Sequence, residues 1–249
     1  MMLAGKRALV TGGGSGAGAA IAIALAEAGA TVTICGRRIA PLAQVAASAP
    51  GITPALCDIT DEGSVISCFD QAGPQDIVIA NAGISASAPF LKTGLDDFRA
   101  MLDTNLTGSF LTLREGLRSM QGKDWGRVIV IASTASLKGY AYVAPYAAAK
   151  HGVLGLVRSV ALEFALKGIT VNAICPGFLD TEMTRRSITN IAEKTGRTEA
   201  EARAALEATN PMHRLVPPED VARAVLWLCG PGSEMVTGQA ISVSGAETM

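Results

Sequence analysis

Seven short, almost continuously apolar runs alternate with longer stretches of helical pattern from one end of this 249-residue chain to the other. The runs are Arg7–Thr11, Thr31–Cys35, Thr53–Cys57, Asp76–Ala80, Arg127–Ala132, Ile169–Ile174 and Ala240–Val243. A strand wetted on one face alternates apolar and polar residues. One covered on both faces has no such need, so runs of this kind mark a parallel sheet between layers of helix. The stretches Gly16–Ala28, Ile39–Ala47, Asp61–Ala72, Asp96–Met120, Pro145–Lys167 and Pro218–Cys229 supply the helices. The pattern predicts an α/β chain: one doubly wound parallel sheet of about seven strands with helices on both faces. No Pro- or Gly-rich linker and no short-period repeat divides it, so residues 1–249 are read as a single domain.

Composition narrows the function classes. A net charge of −1 offers no electrostatic footprint for nucleic acid. No apolar run approaches the ~18 residues of a membrane span, and the first residues lack the pattern of a secretory signal. The five cysteines, Cys35, Cys57, Cys68, Cys175 and Cys229, are odd in number and unpaired in sequence. They are read as small buried thiols of a cytoplasmic protein, and no metal site is assigned. One segment breaks the rhythm: Glu182 to Arg214 is polar and of mixed charge, with no strand directly after it. Lying just past the sixth strand, where a ligand crevice is expected, it is read as a lid.

The first strand runs straight into Thr11-Gly12-Gly13-Gly14-Ser15-Gly16-Ala17-Gly18, which opens the first helix. Glycine at such a junction lets the backbone approach a pyrophosphate, and the helix N-terminus offers unpaired N–H groups and a favourable dipole. This predicts a dinucleotide site, with Gly12, Gly14, Ser15, Gly16 and Gly18 around the phosphates. The second strand ends in Cys35-Gly36-Arg37-Arg38, with no carboxylate to hold a ribose 2′-hydroxyl. Two guanidiniums suited to a 2′-phosphate favour NADP(H), Arg37 being the main contact and Arg38 its neighbour; NAD(H) is the alternative. Later strand ends carry Cys57-Asp58-Ile59-Thr60 and Asn81-Ala82-Gly83. Asp58 is either a ligand contact or the N-cap of the next helix, and Asn81 and Gly83 either line the ligand or shape a turn.

Tyr146 and Lys150, four residues apart, share one face of a helix. A phenol is a poor proton shuttle at neutral pH, and a nearby ammonium stabilises the phenolate. Ser133 ends the fifth strand thirteen residues before Tyr146, with Ser136 a competing hydroxyl. Asn105 interrupts an otherwise largely apolar and charged helix, which suggests a local hydrogen-bonding reason.

Taken together, Thr11-Gly12 with Gly16 and Gly18, Asp58, Asn81-Ala82-Gly83, Asn105, Ser133, Tyr146-x-x-x-Lys150, and Pro176-Gly177 with Thr181 resemble the short-chain dehydrogenase/reductase family in order and spacing. The resemblance implies a Rossmann fold and an oxidoreductase interconverting a ketone and a secondary alcohol. It implies that Tyr146 is the general acid in reduction and base in oxidation, and that Lys150 holds the nicotinamide ribose and lowers the Tyr146 pKa. Ser133 would polarise the carbonyl and Asn105 would hold the water of a proton relay. Asp58 with Ile59 would meet the adenine. Asn81, Ala82 and Gly83 would lie along the cofactor, and Pro176, Gly177 and Thr181 near the carboxamide.

Three positions depart from the family pattern. Ala17 replaces a larger aliphatic residue, Gly245-Ala246 replaces a terminal Gly-Gly, and His213 stands where a small residue is common. His213 is left outside the mechanism. The lid cations Arg185, Arg186, Lys194, Arg197 and Arg203 resemble a loop that meets the phosphates of coenzyme A or an acyl carrier, although Glu193, Glu199, Glu201 and Glu207 interleave with them. The leading substrate is a 3-oxoacyl or 3-hydroxyacyl thioester. A free secondary alcohol or cyclic ketone is the alternative, and a non-catalytic cofactor-binding regulator a remote one. Small and apolar residues on the helices from Asp96 and Pro145 suggest, by the same resemblance, a homotetramer.

Overall fold

The computed structural model describes the chain from Met1 to Met249. Seven strands form one all-parallel sheet: β1 (Arg7–Thr11), β2 (Thr31–Gly36), β3 (Ile52–Leu56), β4 (Ile77–Ala80), β5 (Gly126–Ile131), β6 (Ile169–Pro176) and β7 (Ala240–Val243). Their spatial order is β3-β2-β1-β4-β5-β6-β7, so the winding reverses between β1 and β4. Strand ends lie within one or two residues of expectation, β6 continuing to Pro176. β1, β4 and β5 are buried almost throughout, as their unbroken apolar character requires.

The pleat sorts these residues into two cores. Leu9, Val78, Val128, Val130 and Val171 face one layer, while Ala8, Val10, Ile77, Ile79 and Ile129 face the other. The first layer is covered by α3 (Glu62–Ala72), α5 (Gly108–Ser119) and α6 (Ala144–Phe164). The second is covered by α1 (Gly16–Glu27), α2 (Ile39–Ser48) and α9 (Pro218–Cys229). Each fully buried Val or Ile contributes about 1.5–3 kcal/mol, so the two cores fix the sheet rigidly beneath the loops at its C-terminal edge.

Two local features depart from the expected pattern. The single helix expected over Asp96–Met120 is α4 (Leu95–Leu102) and α5 joined by a π-turn, Asp103–Thr107, which carries Asn105. The lid segment holds α7 (Glu182–Thr195) and α8 (Glu199–Glu207), the latter started by a reciprocal Thr198/Glu201 capping box. No helix is long and apolar enough to cross a membrane.

All five cysteines are free and buried. Cys35 on β2 pairs in register with Ala55 of β3, so Cys57, two residues on, points to the same face. Cys68 comes down from α3, and the three sulfurs lie within 4.8 Å of one another. Thiols that stand far apart in sequence are therefore gathered in space.

Candidate active site

The crevice lies beyond the C-terminal ends of the strands, where β1 and β4 separate the two halves of the winding. On one side is the glycine turn. Gly12 has φ +66°, and a Cβ there would come within 2.8 Å of the Ala82 Cα. A Cβ on Gly18 would overlap the Gly12 carbonyl oxygen. The turn is therefore pressed between the start of α1 and the end of β4 with no room for side chains. Asn81 holds it there, its amide donating to the Thr11 oxygen at 2.9 Å and the Gly12 oxygen at 3.2 Å. Thr11 Oγ1 accepts from the Asn81 and Ala82 N–H groups. The Asn81 side chain is thus committed to shaping the turn, one of its two expected roles.

Ser15 precedes α1 with an exposed hydroxyl that makes no cap bond, and the first turn holds no acid. Gly16 lies against Thr181, whose Cγ2 is 3.2 Å from a Cβ built on that glycine. The segment after β6, from Gly177 on, thus brings Thr181 across the helix N-terminus. Such a glycine-lined cradle at an uncapped helix start fits a pyrophosphate. Arg37 and Arg38 are exposed beside it and form no ion pair. Thr60 donates twice to Asp58 Oδ1, holding that carboxyl below its usual range, with Arg37 adding to the effect. The N-cap of α3 is Asp61, so Asp58 is not that cap. Ile59 is buried, with its side chain packed against Gly108.

On the other side stand the candidate chemical groups. Tyr146 and Lys150 lie on the first turns of α6, which starts with Pro145 in its opening turn. Ser133 follows β5 and caps a short 3₁₀ turn, its Oγ accepting from the Ala135 N–H at 3.1 Å. Lys150 is buried and donates to the Ile131 carbonyl at 2.9 Å. Asn105 is wholly buried, its amide spanning the Ile84 N–H (3.2 Å), the Ile84 oxygen (3.0 Å) and the Met101 oxygen (3.1 Å). A Cβ on Gly83 would sit 2.7 Å from Asn105 Oδ1 and 3.8 Å from Lys150 Nζ, so these three residues converge on one notch. Ser136 is buried with no partner for its hydroxyl.

The electrostatics depart from one expectation. Burial pushes the Tyr146 phenol above its ordinary value; only Ser133 opposes the rise, while buried Cys175 adds to it. Burial brings Lys150 down to about 8. The ammonium expected to lower the phenol is itself weakened, and it is turned to Ile131 with its Nζ 5.8 Å from the Tyr146 ring centre.

Sequence reasoning missed Glu247. Its carboxylate is fully buried, accepts from the Tyr140 hydroxyl and pairs with Lys138 at 3.3 Å. Its Oε2 has no partner and lies 2.8 Å from where a Gly177 Cβ would be. Nothing in a C-terminal Ala-Glu-Thr signals burial. His213 lies in a turn with φ +50°, its N–H on the Asn210 oxygen. In the lid, Arg185 and Arg186 pair with Glu182, and Arg203 pairs with Glu207 and Asp180; Lys194 and Arg197 stay free. Phe90 and Leu91 after β4, Tyr142 just before α6 and Met183 on α7 are exposed apolar groups. Asn190 of α7 touches Ser87 in the loop after β4.

A family model described as short chain dehydrogenase matches residues 6–192. The chain is similar to the 3-oxoacyl-[acyl-carrier-protein] reductase MabA of Mycobacterium tuberculosis, 34% identical over 218 residues, which cover 86% of this chain and 84% of that protein. It is similar to the 3-oxoacyl-[acyl-carrier-protein] reductase FabG of Rickettsia felis, 32% identical over 250 residues (99% and 98%). Among solved structures, a variant of actinorhodin polyketide ketoreductase crystallised with NADPH superposes with a TM-score of 0.90 at 34% identity, covering 96% of each chain.

Proposed function

The chain belongs to the short chain dehydrogenase family, and on that premise we propose that it is an NADP(H)-dependent reductase of 3-oxoacyl thioesters in which Tyr146 delivers the proton. The reaction class is NAD(P)-dependent interconversion of a ketone and a secondary alcohol. The observation that carries the proposal is the convergence of Tyr146 and Lys150 on α6 with Ser133 at the end of β5, opposite the glycine cradle.

The nicotinamide, when bound, supplies the hydride. Gly12, Gly14, Ser15, Gly16 and Gly18 would hold its pyrophosphate, and Thr181, which lies against Gly16, would reach the carboxamide. Arg37 and Arg38 would take the 2′-phosphate, Asp58 and Ile59 the adenine, and Ala82, Gly83, Pro176 and Gly177 the nicotinamide half. The Ser133 hydroxyl orients the carbonyl oxygen towards the Tyr146 phenol, which stays protonated at neutral pH and so serves as acid in reduction. Lys150 anchors the ribose, and Asn105, clamped to Ile84 and Met101, fixes the notch through which protons are resupplied. Residues 182–214 cover the substrate.

The exposed apolar groups Phe90, Leu91, Tyr142 and Met183 support an acyl substrate, and Lys194 and Arg197 remain to meet its phosphates. The relatives' names point the same way. The buried, half-paired Glu247 beside Gly177 favours the second reading, a free secondary alcohol or cyclic ketone. Turnover of acetoacetyl-CoA with NADPH supports the thioester. No turnover of it with either nicotinamide, alongside good turnover of simple ketones, overturns it.

A homotetramer is part of the proposal. An open groove of about 1030 Å³ between α5 and α6, lined by Phe110, Leu117, Leu156, Phe164 and Leu166, leaves apolar surface for a second copy. Light scattering that shows a monomer at working concentration contradicts it. Five reduced, buried thiols support a cytoplasmic setting.

A further inference from the structure

We propose that Cys35, Cys57 and Cys68 form a trithiol site for a trivalent metalloid hydroxide, of which arsenite is the simplest, at the cofactor end of the sheet. The sulfurs already lie within 4.8 Å of one another. Three bonds of ~2.3 Å around a pyramidal trivalent centre put sulfurs roughly 3.5 Å apart, so closure needs each sulfur to move inward by under ~1 Å. All three side chains are buried, at 0%, 5% and 2% exposure, among Leu9, Val65 and Phe69.

Coordination number and charge choose the ion. No carboxylate or imidazole joins the three sulfurs, and structural zinc is almost always four-coordinate. Three thiolates around a monovalent or divalent cation would also leave net negative charge in an apolar core, which is costly. Around a trivalent centre the complex is neutral. The condensation balances without redox change: three S–H and three As–O bonds break, three As–S bonds form, and three waters leave. Entry needs only a local opening, because β3 is the edge strand and Cys57 directly follows its end.

The site adjoins the cofactor pocket. Cys35 stands two residues before Arg37, and Cys57 immediately precedes Asp58. An ion tying the ends of β2 and β3 to α3 therefore constrains both segments.

The test is native mass spectrometry with arsenic X-ray absorption on the full-length protein mixed with one equivalent of arsenite. The expected result is one arsenic gained with three protons lost, three sulfur neighbours, and loss of uptake in both Cys57→Ser and Cys68→Ala. Cys229→Ala should load like the wild type. No uptake, two sulfur neighbours with a remaining As–O bond, or undiminished uptake by Cys68→Ala overturns the site; if that variant fails to fold, the wild-type coordination number decides. Loading should also weaken binding of whichever nicotinamide the protein takes by about fivefold or more. Undiminished nicotinamide binding at full loading overturns the link to the pocket.

Discussion

Lys150 donates to the Ile131 carbonyl at 2.9 Å, tying the helix that carries Tyr146 to the strand that leads into Ser133. One buried cation thus sets the spacing between the two hydroxyl groups of the site. It does so at the expense of its own charge, since burial lowers its pKa to about 8.

That depression has a stability consequence. Between about 8 and the ordinary 10.5 the unfolded chain binds more protons than the folded one, so stability rises with pH across this window. Below it the penalty is present in full. Lys150→Met is expected to stabilise the cofactor-free protein by on the order of 1–2 kcal/mol at pH 7 while abolishing turnover. Urea midpoints of both proteins at pH 7 and pH 10 check this, the gap closing at the higher pH.

Tyr146→Phe is expected to lower turnover by about 10²–10⁴-fold with nicotinamide binding retained. Because burial raises the Tyr146 pKa, reduction in the wild type should hold through neutral pH and fail only in strong alkali, whereas oxidation should climb with pH. Paired pH–rate profiles measure both limbs. Unchanged activity in the Phe variant would refute Tyr146 as the proton donor.

Arg37→Ala removes an exposed guanidinium that forms no ion pair in the fold. Losing a charge-assisted bond worth about 1.5–3 kcal/mol should raise KM for NADPH roughly 10- to 100-fold and leave that for NADH nearly untouched. Equal effects on both cofactors would remove Arg37 from phosphate recognition.

Ala246 holds φ +71°, a left-handed conformation in which a β-carbon is unfavourable. Ala246→Gly should therefore raise stability by about 1 kcal/mol, read as a higher thermal midpoint.

The strands were legible because Val, Ile and Ala runs covered on both faces carry their burial in composition alone, as in Val128–Ile131. The glycine turn was legible because close approach demands glycine at Gly12 and Gly18. Three things were not. The π-turn at Asn105 is a change of hydrogen-bond register, which leaves no mark on periodicity. The meeting of Cys35, Cys57 and Cys68 depends on strand register across β2 and β3 and on the seating of α3. The burial of Glu247 follows from where the tail lies after β7, next to Lys138 and Tyr140. The weakening of Lys150 was missed because a four-residue spacing shows that two groups are neighbours but says nothing of how dry their surroundings are.

The π-turn of Asp103–Thr107 amounts to one surplus residue stored within a helix. Deleting one residue there would let the ordinary α-helix reform with α4 and α5 keeping their faces, and the widened turn that presents Asn105 would be lost. Asn105 would leave Gly83 and Ile84, while the apolar flank of α4 would stay on its support. The segment should therefore accept many point changes and refuse every single-residue deletion, so that its length is held under tighter selection than its letters.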